Sequence, residues 1–253
     1  MLNALKSASE NPILLSAGKT AILLGILYFI DNFWWSAALF IAAIFYFYWR
    51  KPASNISLLY SFFVFLAIVL ISRWLITQNW FFKMTLILAG LSFFIISGLK
   101  NLLFLKRSLL YHVLNNFLFL LAFLIFFFLA NPDFFWLKYL TVTAAAYCLF
   151  KEFFLLFPEF SGEKVLIMPI SSKKATLFSL CLAFLMSQFL WANSLLPIGF
   201  LNSSASMMVI ILILKDLSAN YLIGLLNKRL VLKNITIFIV FTLVIFMASR
   251  WSL

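Results

Sequence analysis

The chain has 253 residues, of which 66% are hydrophobic and 10% charged, whereas soluble domains average about 45–50% and 25%. Its formal net charge is +12, with one His and two Cys. Such a composition excludes an ordinary soluble fold and leaves too few ligating side chains for a metal centre.

A helix rising 1.5 Å per residue needs about 20 apolar residues to cross a hydrocarbon core of roughly 30 Å. Nine stretches approach that length, at 12–30, 33–49, 56–72, 80–98, 111–130, 134–150, 175–195, 197–214 and 234–249. The first contains Lys19, so an interfacial helix followed by a short crossing, with eight spans in all, is the alternative. Asp31 and two Trp follow it in place of a small-residue cleavage site, so no cleavable signal peptide is expected. The run FLFLLAFLIFFFLA at 117–130 is apolar on every side, whereas barrel strands alternate polar and apolar residues. The expected fold is therefore all-α: a polytopic transmembrane helix bundle of one integral-membrane domain over 1–253, with short outer turns and basic interfacial inner loops.

Basic residues gather in every second gap. Arg50 and Lys51 follow the second stretch, and Lys100, Lys106 and Arg107 the fourth. Lys151, Lys164, Lys173 and Lys174 follow the sixth, and Lys215, Lys228, Arg229 and Lys233 the eighth. By the positive-inside rule this side is cytoplasmic, which puts the N-terminus inside and the C-terminal Trp251 outside. Trp34, Trp35, Trp74, Trp80, Trp136 and Trp191 also fall near the outer interface, where an indole buries its ring and keeps its N–H wet. The location implied is the cytoplasmic membrane. Two inner segments, 100–112 and 217–233, mix Leu with Lys and Arg in a way suited to lying on anionic lipid. Topology and lipid contact account for the positive charge, and nucleic acid is not an expected partner.

Chemical motifs are sparse. There is no HExxH, CxxC, phosphate-binding GxxxxGK[ST] or GxGxxG, so neither metal nor cofactor is expected and enzymatic function is disfavoured. His112 reads as an interfacial His, and Cys148 and Cys181 as small core residues. Four polar features stand out. Lys215-Asp216 closes an apolar run. If the eighth helix begins at Pro197 the pair is an ordinary couple at the inner interface, and if it runs from about Ser204 to Leu226 the pair nears midplane, where ionisable groups are costly and functional. The interfacial placement is preferred, because no complementary group is evident deep in another span. Gln188 and Trp191 lie one turn apart on the seventh helix, and with Arg73, Trp74 and Gln78 they make a candidate outer polar cluster, although interfacial anchoring explains all five. Asn115-Asn116 reads as interhelical hydrogen-bonding glue. Glu159 and Glu163 beside Lys164 read as a solvated loop.

Gln188-x-x-Trp191, the turn at 196–200, Asp216-Leu217, Lys228-Arg229-Leu230 and Arg250-Trp251 together resemble a group of multi-pass bacterial membrane proteins. The resemblance covers about a quarter of the chain and implies the topology, with no activity to carry over. The expected role is a noncatalytic scaffold or accessory component of a membrane complex, with the bilayer and another membrane protein as partners. The alternative is a transporter or permease for a small solute or lipid-like substrate, using Lys215, Asp216, Asn115, Asn116 and Gln188.

Overall fold

A computed structural model describes residues 12–29, 34–49, 58–75, 79–100, 107–128, 135–160 and 171–248. They form nine helices: α1 (Pro12–Phe29), α2 (Trp34–Trp49), α3 (Leu59–Leu75), α4 (Asn79–Lys100), α5 (Arg107–Phe128), α6 (Phe135–Phe160), α7 (Ser172–Ser194), α8 (Phe200–Ile223) and α9 (Lys228–Ala248). No strand occurs among the described residues. The six helices α4 to α9 are long and apolar enough to cross a membrane, whereas the apolar parts of α1, α2 and α3 are shorter, at Ile13–Tyr28, Ala38–Tyr48 and Leu59–Ser72. The helices group into two compact units, Met1–Leu114 and Asn115–Leu253.

In the first unit, Ser16, Thr20, Leu23 and Leu27 bury one face of α1 at helical spacing, and α1 packs on α4. Gly90 lets the two helices close: a Cβ there would stand 2.7 Å from Leu24 Cδ1. Ser16 Oγ donates to Ser97 Oγ at 3.2 Å. Aromatic rings fill the α2–α3 and α3–α4 contacts, with Tyr48 stacked 4.0 Å from Phe62 and Phe65 6.0 Å from Phe93. Lys100 was expected in a lipid-facing loop. It is instead the last residue of α4 and is 9% exposed, because its ammonium donates to the Tyr48 carbonyl and lies 3.6 Å from the Tyr48 ring centre. A cation there suits the negative end of α2. These contacts bring the C-terminal ends of α2 and α4 and the start of α1 to one end of the unit.

In the second unit, α6 packs extensively on α7, and α8 and α9 form a hairpin. Two boundaries differ from the sequence expectation. α6 runs to Phe160, ten residues past the expected stop at 150, because Lys151 and Glu152 do not break the apolar face. Lys151 Nζ donates to Tyr147 Oη at 3.3 Å, Glu152 turns inward, and Phe153 and Phe154 continue the buried surface. The segment 217–233, expected as an interfacial loop, is mostly helix: α8 continues to Ile223 and α9 begins at Lys228. Gly224 makes the short reversal possible by adopting φ 76°, a left-handed conformation that glycine takes without steric cost. Its neighbour Leu225 donates its N–H back to Asn220 O at 2.9 Å. Ser171 caps α7, accepting from the Lys174 N–H at 3.3 Å.

Candidate functional site: a polar tier inside the second unit

The hydrogen bonds of α5, α6, α8 and α9 gather ionisable and amide side chains at one level. Lys215 on α8 is 5% exposed. Its ammonium donates to Asn115 Oδ1 and, at 2.7 Å, to Asn116 Oδ1, both on α5. It also stands 4.8 Å from the centre of the Phe119 ring and 5.1 Å from that of Phe153. Two amide oxygens and two aromatic faces make a cage suited to a cation. Asn115 carries the network to a third helix, its Nδ2 donating to Leu149 O on α6 at 3.2 Å.

Asp216 points elsewhere, since successive residues on a helix diverge by about 100°. Its Oδ1 accepts from Asn220 Nδ2 at 3.0 Å and its Oδ2 from Asn234 Nδ2 on α9 at 2.8 Å. Asn234 is the buried residue of α9. Glu152, 1% exposed, precedes the Phe153 that faces the Lys215 ammonium.

Depth along the helices agrees. Asn115, Glu152 and Lys215 each lie about eight residues, or ~12 Å, from the α5 start, the α6 end and the α8 end. The basic residues Lys151, Lys173, Lys174, Lys228 and Arg229 lie at or beyond the tier, toward that same end.

The expectation of Lys215-Asp216 as an ordinary charge couple at a helix end is therefore corrected. Lys215 is buried, and the two side chains turn to different helices. α8 starts at Phe200, between the two starts considered, and runs far enough past the pair to carry it inside the bundle. Asn115 and Asn116 act as interhelical glue, as their position suggested. Glu152 and Asn234 were not anticipated as site residues. Glu152 sits in a run, FKEFFLLF, whose apolar period continues on both sides of the charges, and that was the available signal. Gly224 lies near the middle of the interval from Asp216 to Asn234, as a helical hairpin pairing the two requires.

Elsewhere, Gln188 is exposed and Trp191 is 57% exposed on α7. Gln78 and the side chain of Arg73 lie outside the described residues, as do Glu163, Lys164 and the Glu159 side chain. Cys148 is half-buried, but Cys181 is exposed and so is not the core residue expected. No group of metal-ligating side chains occurs among the described residues.

No family model, curated protein or solved structure matches the chain. Its six long apolar helices nonetheless define its class: it is an integral membrane protein of the all-helical type.

Proposed function

We propose that the protein is a noncatalytic component of a membrane complex, a scaffold or accessory subunit. In this reading it resides in the cytoplasmic membrane with its N-terminus inside and its basic end against anionic lipid. The observation that carries it is the polar tier. Lys215 and Asp216 are held by amides of the same bundle, so their bonding capacity serves to fix α5, α6, α8 and α9 to one another. The outward faces of α7 and α9 meanwhile present large apolar side chains such as Phe184, Leu232, Phe241 and Met247, available to lipid or to a neighbouring membrane protein.

A transporter is the second reading, favoured by Lys215, Asp216 and Glu152 occurring at one level within apolar helices, where ionisable groups commonly mark a pathway. Reconstituted liposomes carrying the full chain separate the two. Driven by proton, sodium or amino-acid gradients, they are expected to show no current above that of empty liposomes, while crosslinking in native membranes captures one membrane protein at fixed stoichiometry. A gradient-driven current abolished by Lys215→Met, with the fold intact by circular dichroism, would establish transport and overturn the scaffold.

A further inference from the structure

At the basic end of the second unit, α7, α8 and α9 leave an open groove of about 290 Å³ between them, lined by Phe178, Leu217, Ser218, Tyr221, Leu226 and Val231. It adjoins a second recess of about 390 Å³, which shares Leu226 and Val231 and adds Lys228, Leu232 and Ile235. The Phe178 and Tyr221 rings, 5.9 Å apart, join α7 to α8 along one wall. Ser218 is the smallest of the lining side chains, and its size leaves the space.

The chemistry of the groove changes with depth. At its rim are cations: Lys174, one turn before Phe178 on the same face of α7, and Lys228, which lines the adjoining recess. Lys173 and Arg229 are their neighbours in sequence, and all four are exposed. None of these side chains makes an ion pair or hydrogen bond with a described residue. Beneath them come two hydroxyls, Tyr221 and Ser218, about 3 Å and 8 Å inside the end of α8. Elsewhere on these three helices Thr176, Ser179, Ser204 and Thr236 each donate to the carbonyl four residues earlier, the usual way a hydroxyl is satisfied on an apolar helix. Ser218 and Tyr221 donate to no carbonyl and to no other described group. The remaining walls, Phe178, Leu217 and Val231, are hydrocarbon. Cation, hydroxyl and hydrocarbon therefore follow one another inward, and an anionic phospholipid offers the complementary series of phosphate, ester carbonyl and acyl chain.

We propose that this groove holds one anionic phospholipid. Lys174 and Lys228 contact the phosphate, the Ser218 and Tyr221 hydroxyls donate to the ester carbonyls, and one acyl chain lies between Phe178, Leu217 and Val231. This assignment rests on the reading that the basic end lies against anionic lipid, and it turns a diffuse attraction into a single bound molecule. It does not depend on whether the protein is a scaffold or a transporter.

Native mass spectrometry of the full chain tests the proposal, with the protein released from detergent that carries equal amounts of phosphatidylglycerol and phosphatidylcholine of the same acyl chains. One phosphatidylglycerol should be retained in preference to phosphatidylcholine. Lys174→Gln and Lys228→Gln should each weaken its retention about fivefold, the scale of one lysine beside an anionic headgroup. Ser218→Phe fills the groove with the charges in place and should also lower retention. Val231→Phe fills it from the α9 wall and replaces Ser218→Phe if circular dichroism shows that variant unfolded. Lys83→Gln on α4, which removes an exposed lysine of the other unit, should leave retention unchanged. Sensitivity to the two lysines without sensitivity to a folded groove-filling variant would overturn the groove and leave only the diffuse attraction at the basic end. Sensitivity to the groove-filling variants alone, or equal retention of the two lipids, would overturn the anionic headgroup. Indifference to all four variants would overturn both the site and the reading on which it rests.

Discussion

Lys215 shows how a charged side chain is accommodated where water is scarce. An ammonium has three protons to donate and no capacity to accept, and here two of its neighbours are amide oxygens offered by consecutive residues of α5. Removing an acceptor should therefore cost more than removing the charge. Asn115→Leu leaves a buried ammonium short of one partner, and charge-assisted bonds are worth about 2 kcal/mol. Lys215→Met keeps the volume and removes the charge but leaves the buried Asn115 oxygen without its donor, so it should cost about 1 kcal/mol, less than stranding the ammonium, whereas replacing both members is often nearly neutral. The double variant Asn115→Leu with Lys215→Met should recover most of the loss. Reversible unfolding in mixed micelles measures all three. A larger loss for Lys215→Met than for Asn115→Leu would mean that the charge itself stabilises the bundle.

The α8–α9 hairpin depends on a turn with little redundancy. Gly224 is at φ 76° with open space where a Cβ would stand, so substitution there meets backbone strain and no clash. Gly224→Ala should destabilise the hairpin by about 1 kcal/mol, and Gly224→Asn by less, because Asn tolerates the left-handed region. Faster amide exchange in the α9 segment that begins at Lys228, with α5 and α6 unaffected, is the expected signature. Equal exchange in Gly224→Ala would show that the Asp216–Asn234 bond fixes the hairpin without help from the turn. The element scale also shows what was legible in advance. Long uniform runs such as 117–130 announced their helices, and Asn115-Asn116 announced a polar join. Charges misled where they coincided with helix continuation: Lys151-Glu152 reads as a loop only if the residues after it are ignored, and Lys228 and Arg229 read as a loop although they open α9. Which face a charge occupies decides its fate, and a one-dimensional count of basic residues carries no face. The partners of Lys215 lie 99 and 100 residues away, a separation no local pattern encodes.

For the whole molecule, the polar contacts fix which helix ends lie together, while the side of the membrane they occupy is assigned from charge. In the second unit the basic ends of α6, α7 and α9 share a face with the α8–α9 turn. In a background with Cys148 and Cys181 replaced by Ala, cysteines placed singly at 173 and 227 should react with a membrane-impermeant maleimide only after permeabilisation. One at 196 should react in intact cells. Reversed labelling would invert the orientation without disturbing the hydrogen-bond network. Labelling of 173 and 227 from different sides would contradict the arrangement of α7, α8 and α9.

The way Asp216 is satisfied bears on how the chain enters the bilayer during synthesis. Lys215 finds its acceptors on α5, which leaves the ribosome long before α8. The Asp216 carboxylate finds Asn220 within its own helix, but it finds Asn234 only on α9, which is made afterwards. An acidic residue at the centre of a lone helix costs about 2.5–3.5 kcal/mol during translocon-mediated insertion, and Asp216, about a third of the way in from the end of α8, incurs part of that cost. α8 emerging alone therefore carries an unmet need, which is relieved only when the following helix folds back against it. On this ground α8 and α9 are expected to leave the translocon as a pair, and truncating the nascent chain before residue 234 should hold α8 at the channel's lateral gate.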